Sequence, residues 1–526
     1  MYGGTLTTLV AKRTSVKWLV AAVCIATFFC APLAASPAPT AAPRAAAPTP
    51  QPSSSASAAL REETVITHHH AEIGGKRIAY AATVGTIVLR DDKRQPTATM
   101  FYVAFTAEGL GSSASRPLTF AYNGGPGGSS APIDIGGIGP RIVRTVNGAA
   151  TPPAPYAMID NPNSWLDKTD LVFIDAVGTG FSRLAPAGTA KDFYGVTPDS
   201  HAFVQFIRRY ITRNNRWNSP KYLAGESYGT MRSVEVAKSL HDEGIALNGI
   251  VFIGTVLNFE TIATSQAGND LPYWLFLPSE AAVSAYYHKV PAEPSDLQGF
   301  LRNVRAFANG SYQSALSKGA TLTNGERDSI AQELYGFTGL PVDYWIRSNL
   351  RVSASRFRKE LLGSSDRTIG RYDARFSEFD LDPASSSARS DPAADAAFSA
   401  ITASMNRYVR DELNYKTEEQ YVLLSGNVNG QWEWKSSTEW GAAAANVSGD
   451  LREVMTANPN LRVFVVCGLY DLATPFFAAE YTMDHLGINP ALQPHISFGY
   501  YPSGHMVYVN PAASAQLKHD VGSFFR

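Results

Sequence analysis

Tyr222-Leu-Ala-Gly225-Glu-Ser227-Tyr-Gly229-Thr230-Met-Arg-Ser-Val-Glu-Val-Ala237 decides how the rest of the chain is read. The β-rich apolar run 222–224 enters a Gly-x-Ser-x-Gly turn, and a run with few helix breakers leaves it at Thr230 and stops near Gly244. Strand, tight turn and helix in that order form a nucleophile elbow, so sharp that the serine hydroxyl stands clear and the flanking residues must be small. An isolated Gly-x-Ser-x-Gly is as readily an ordinary glycine turn; the strand before it and the helix after it select the elbow. Ser227 is the candidate nucleophile, and the backbone N–H of Tyr228 faces the developing oxyanion.

A serine hydroxyl is a weak nucleophile near neutral pH and needs a base, which in turn needs an orienting acid. In this arrangement the partners follow downstream, acid first, on loops after core strands. Asp471, four residues beyond Cys467 and the apolar run 461–466, is the candidate acid. His505, in Ser503-Gly-His-Met506 after the run 495–500, is the candidate base. The other histidines fit less well. His68, His69 and His70 are expected ahead of the first strand as an exposed tract, and His201 and His241 lie upstream. His288, His485, His495 and His519 fall in helices, or in strands and their flanks, where a surface or core histidine is the simpler reading.

Outward from the elbow, Leu118–Tyr122, 171–174, 222–224 and 250–253 have the length and composition of buried parallel strands, with helices over 200–211 and 230–241 between them. Ahead of these, 77–80, 86–89 and 99–105 predict successive antiparallel strands. Helical periodicity dominates 258–440, with helices predicted at 279–289, 297–308, 324–335, 342–362 and 393–414. Sheet signals return at 461–466 and 495–500. The expected fold is α/β, an α/β-hydrolase with a mostly parallel central sheet, antiparallel N-terminal strands and an inserted helical cap. The core falls in two parts, 64–257 and 441–526, around a cap at 258–440.

The N-terminus has a different character. Lys12, Arg13 and Lys17 precede the apolar run 18–29, and Leu33-Ala34-Ala35 offers a small-residue cleavage site, so 1–35 reads as an export signal. The run is short for a bilayer span, and no stable membrane insertion is expected once the signal is removed. Residues 36–63 are rich in Pro, Ala, Ser and Thr and read as a linker. Cys24 and Cys30 lie in the signal, which leaves Cys467 as the sole cysteine of the mature chain and makes an internal disulfide impossible. Hydrophobic residues at 45% against 17% charged residues suit a large packed core, and a formal charge of −1 argues against nucleic acid as a partner.

A second signal is Asn123-Gly-Gly-Pro-Gly-Gly-Ser-Ser130, directly after the strand Leu118–Tyr122. A loop this free of side chains lets backbone N–H groups approach a ligand, as the second donor of an oxyanion hole must. Phosphate cradling is the rival reading, but no Gly-Lys-Ser/Thr follows. The residues call for no cofactor and no metal.

Together these segments resemble the serine carboxypeptidase family. Asn123 to Ser130 is similar to its Asn-Gly-Gly-Pro-Gly-Cys-Ser-Ser block, and Ile174-Asp-Ala-Val-Gly-Thr-Gly-Phe-Ser182 to its Gln-Pro-Val-Gly-Thr-Gly-Phe-Ser block. Gly225-Glu-Ser-Tyr, Gly468-Leu-Tyr-Asp-Leu-Ala-Thr-Pro475 and Gly504-His-Met-Val507 resemble its nucleophile, acid and histidine blocks. The resemblance implies that Gly125 and Tyr228 donate the oxyanion hydrogen bonds. It also implies that Asn123, Gly124 and Glu226 receive the free carboxylate of a peptide's C-terminus. For Glu226 to attract a carboxylate, one of the two must be protonated, which predicts cleavage favoured by acid. Two departures stand out. Gly128 replaces the family's cysteine, and an acidic residue usual shortly before Gly-Pro is absent from Gly136-Gly-Ile-Gly-Pro140, with Asp134 the nearest acid. The expected function is C-terminal hydrolysis of peptides through an acyl-enzyme. An esterase or acyltransferase on the same scaffold is the alternative within the enzymes, and a non-catalytic exported binding protein is the alternative outside them.

Overall fold

The computed structural model describes residues 62–112, 114–264, 266–434 and 445–525, within one compact unit, Ala59–Arg526. The predicted signal, nearly all of the predicted linker and the cap limit at Trp440 lie outside these residues. Glu62, at the end of the expected linker, already pairs with Arg209 and Arg213 of the folded body.

The central sheet follows the alternation of the sequence. Its strands are β1 Thr64–Ile73, β2 Lys76–Arg90, β3 Pro96–Ala107, β4 Leu118–Tyr122, β5 Asp170–Ile174, β6 Lys221–Glu226, β7 Gly249–Ile253, β8 Arg462–Gly468 and β9 Ile496–Tyr501. They lie side by side in the order β1-β2-β3-β5-β4-β6-β7-β8-β9, with the two-residue strand Arg183–Leu184 beside β3. β1 to β3 run antiparallel, β3 meets β5 antiparallel, and all later neighbours are parallel. The parallel strands read as continuous apolar runs because both faces are covered. In β6, Leu223 joins the core under α1 (Val196–Arg213) and α2 (Tyr228–Asp242), while Tyr222 and Ala224 join the opposite core, under the C-terminal helix Pro511–Gly522. This is the α/β-hydrolase fold.

Two N-terminal expectations are corrected. The runs 77–80 and 86–89 are two parts of one 15-residue strand, β2, joined through Gly85, where a Cβ would lie 2.3 Å from Glu63 O. The three histidines lie inside the first strand rather than ahead of it; the ring of His69 stacks on Tyr80 at 5.5 Å.

The insertion between β7 and β8 is mainly helical, with helices at Leu271–Tyr286, Leu297–Phe307, Asn324–Thr338 and Pro392–Arg407. The predicted helix 342–362 is two, Val342–Arg347 and Ala354–Glu360, separated where Asn349 and Leu350 take φ of +50° and +60°. A small hairpin follows, Arg367–Ile369 with Ser377–Phe379, which helical periodicity did not foreshadow. Its tip, 370–376, reaches the loops that carry Asp471 and His505.

Candidate active site

Ser227 stands between β6 and α2 at φ +59°, ψ −128°, backbone space that non-glycine residues seldom occupy and that costs about 1–3 kcal/mol. Its N–H donates to Ile253 O at 2.9 Å, and its carbonyl accepts from Thr230 N at 2.8 Å, so the neighbouring strand and the first turn of α2 hold the strain in place. Gly225 is small of necessity: a Cβ there would lie 2.1 Å from Gly229 O.

The candidate acid and base come from adjacent parallel strands. Asp471 follows β8 and His505 follows β9, both buried, with His505 Nδ1 2.7 Å from Asp471 Oδ2. Asp471 Oδ1 accepts from the N–H groups of Ala473 and Thr474 at 2.7 and 2.9 Å, and Oδ2 accepts from Thr474 Oγ1 at 2.8 Å. Its oxygens serve as acceptors, which assigns the proton to Nδ1 and leaves Nε2 as the candidate base. Nε2 is buried and makes no hydrogen bond among the described residues. Ser227 and His505 line one cavity, and their mutual hydrogen bond is not made; such bonds commonly tighten only with substrate in place.

That cavity brings Asn123, Gly124, Gly125 and Glu226 together with Ser227 and His505. The glycine loop lies directly on the elbow: a Cβ on Gly124 would be 2.5 Å from the backbone nitrogens of both Tyr228 and Gly229. Gly125, at φ +106°, turns the loop as only glycine does easily. The rest of the lining is largely apolar, with Pro132, Tyr372, Phe398, Leu423, Leu424 and Met506.

Glu226 is fully enclosed. Asn123 Nδ2 donates to Oε1 at 2.7 Å, and the phenol of Tyr508 donates to Oε2. Burial pushes its carboxyl up to about 7, against the pull of His505 and of these two donors. Burial disfavours the imidazolium of His505, yet Asp471, and then Glu226, hold its pKa above the ordinary value. The two groups are therefore linked: once Glu226 takes a proton, its attraction for the imidazolium is lost and His505 is more readily the neutral base.

Several residues here were not legible as site residues. Thr474 lies inside the acid block and Tyr508 directly after the histidine block, where closeness to a motif was the only signal. Tyr372 comes from the hairpin tip; its ring stacks on that of His505 at 5.3 Å, and its carbonyl accepts from His505 N–H at 2.5 Å. Asp134, the nearest acid to the departure noted above, is fully buried, makes no side-chain hydrogen bond among the described residues, and does not line the cavity. Cys467 is a buried thiol whose pKa burial drives well up, as suits an inert core residue.

Residues 89–265, which carry the glycine loop and the elbow, match the family model described as serine carboxypeptidase. The chain is 27% identical over 203 residues to serine carboxypeptidase-like 45 of Arabidopsis thaliana, covering 37% of this chain and 40% of that protein. It is 31% identical over 112 residues to serine-type carboxypeptidase F of Aspergillus niger, covering 21% and 19%. The chain thus spans less than half the length of these curated relatives. Among solved structures it is similar to Kex1(delta)p, a prohormone-processing carboxypeptidase from Saccharomyces cerevisiae, with a TM-score of 0.53 and 16% identity over 85% of this chain and 91% of that one. The similarity to serine carboxypeptidases thus covers the glycine loop and the elbow, and the likeness to the solved structure extends the shared fold over most of the chain.

Proposed function

We propose that this chain is an exported serine carboxypeptidase that removes residues from the C-termini of peptides and works best in acid. Ser227 attacks the carbonyl of the last peptide bond while His505 Nε2 takes its proton, and Asp471 steadies the imidazolium that results. The N–H groups of Gly125 and Tyr228 receive the oxyanion, each worth about 3 kcal/mol of transition-state stabilisation. His505 returns the proton to the departing amine, and water then releases the acyl-enzyme by the same steps.

The observation that carries the peptidase reading is Glu226, a buried carboxyl raised to about 7 beside the nucleophile and bonded to Asn123. An esterase has no use for a neutral acid at this place. A C-terminal carboxylate does, because a protonated Glu226 donates to it where an ionised one repels it. Raised pH therefore costs binding of the free acid before it costs the triad.

The test is a blocked peptide with a free C-terminus beside its amidated twin, followed by mass spectrometry with wild type and Ser227→Ala from acidic to neutral pH. Stepwise shortening of the free-acid peptide, strongest in acid and absent in Ser227→Ala, is the expected result. Hydrolysis of a simple ester with neither peptide shortened would leave the triad standing and remove the peptidase.

A further inference from the structure

Glu226 alone does not define a carboxylate site, because a carboxyl free to rotate presents its proton in no fixed direction. Here both oxygens are held, Oε1 by the Asn123 amide and Oε2 by the Tyr508 phenol. Asn123 is itself fixed, since its Oδ1 accepts from Ile133 N–H at 3.0 Å. Tyr508 lies on the short turn Val507–Val509, three residues after the catalytic histidine, and is 4% exposed.

The ring has a matched seat. A Cβ on Gly137 would lie 2.8 Å from Tyr508 Cδ2 and 2.9 Å from Cγ, so the phenol occupies the space that a side chain at 137 would need. Gly137 belongs to the Gly136-Gly-Ile-Gly-Pro140 segment, where the chain departs from its family by lacking an acid. Gly137 and Tyr508 are complementary: the bare backbone admits the ring, and the ring delivers a hydroxyl to Glu226.

We infer that Tyr508 is the positioning residue of Glu226, its hydroxyl setting the plane of that carboxyl and with it the selection of substrates that carry a free C-terminal carboxylate. This rests on the carboxypeptidase reading above. With Asn123 and Tyr508 each donating to one oxygen, the remaining proton of Glu226 points into the cavity. Tyr508 stays an O–H donor across the working range, because burial and then the adjacent Glu226 drive the phenol's pKa well up. The groups that face Glu226 are His505, Tyr508, Asn123, Asp471 and, from the hairpin tip, Tyr372, and those that face Tyr508 are Glu226 and Asn123. Among them the phenol favours the ionised carboxylate, so its removal raises the pKa of Glu226 further.

The experiment compares full-length wild type and Tyr508→Phe on a free-acid peptide, its amide and a small ester, each over a pH series. The expected result is a KM for the free-acid peptide raised about fivefold or more with kcat within about twofold, and ester turnover unchanged. The fall of free-acid kcat/KM with rising pH moves to higher pH. Gly137→Ala, which displaces the ring while keeping the hydroxyl, should reproduce the KM defect and covers the case in which Tyr508→Phe fails to fold. Wild-type values of KM and pH limb in both variants overturn the inference, as does an equal loss on peptide and ester with no movement of the limb. A wild type that treats free-acid and amidated peptides alike instead overturns the carboxypeptidase reading beneath it.

Discussion

Gly124 shows what a single hydrogen in place of a methyl group does at this site. Its φ lies outside the left-handed region, so the backbone would accept alanine; the constraint is space, with a Cβ at 2.5 Å from the nitrogens of Tyr228 and Gly229. Gly124→Ala must lift the loop off the elbow, moving Gly125 away from Tyr228 and splitting the proposed pair of oxyanion donors. Loss of one donor lowers kcat by about 100-fold or more. Steady-state turnover of an ester, with a thermal melt to confirm folding, checks this; an alanine variant within about threefold of wild type would show that the loop takes no part in the oxyanion hole. The elbow was readable because strain leaves a mark in sequence, in the glycines at 225 and 229 that Ser227 needs beside it. Asp471 and His505 were readable because strand order limits where they can stand. Tyr508 was not, since nothing in its own surroundings states that its ring meets Gly137, a neighbour 371 positions earlier in the chain.

The least legible element is also the one most involved with the loops of Asp471 and His505. The sheet was largely readable because buried parallel strands must be apolar runs. The insertion was less so: periodicity separates helix from strand but carries no record of which tip touches which loop. The hairpin tip, 370–376, runs between the acid and histidine loops. Leu472 N–H donates to Arg371 O and Ala374 N–H to Tyr470 O, each at 3.0 Å, while Gly504 N–H donates to Asp373 Oδ2 at 3.1 Å. The passage is close enough that a Cβ on Gly504 would lie 2.3 Å from Tyr372 O. The insertion therefore supports both Asp471 and His505 and cannot swing away without disturbing them. Tyr372→Ala, which removes the ring stacked on His505, should slow phosphonate labelling of Ser227 by about tenfold or more, while Tyr372→Phe, keeping the ring, stays within about twofold. Equal labelling rates for the two variants would mean that the stack contributes nothing to the base.

Across the whole molecule, buried carboxyls tie stability to pH in the direction the proposed activity needs. Burial raises Glu226 to about 7, Glu235 to about 7 with Asp450 beside it adding to the effect, and Asp175 to about 6. It drives Asp134 and Glu280 well above the ordinary carboxyl range, and neither makes a side-chain hydrogen bond among the described residues. The unfolded chain ionises these groups near pH 4 while the fold keeps them neutral, so the folded state binds more protons between the two values. Their contribution is fully present below about pH 4 and is lost as pH rises through the folded-state pKa values. Glu326, exposed and lowered to about 2 by Lys318 and Thr323, works in the opposite sense only in strong acid. All five are raised in the same direction, so together they outweigh single surface charges. The melting temperature should accordingly be several degrees higher near pH 5 than near pH 8, as read by scanning fluorimetry through that range. Glu280→Gln, which keeps the shape and cannot ionise, should flatten the slope. A melting temperature that is level or rises toward pH 8 would mean that these carboxyls are ionised in the fold. It would also remove the ground for a neutral Glu226, because the same burial that keeps the core carboxyls protonated keeps a proton beside Ser227.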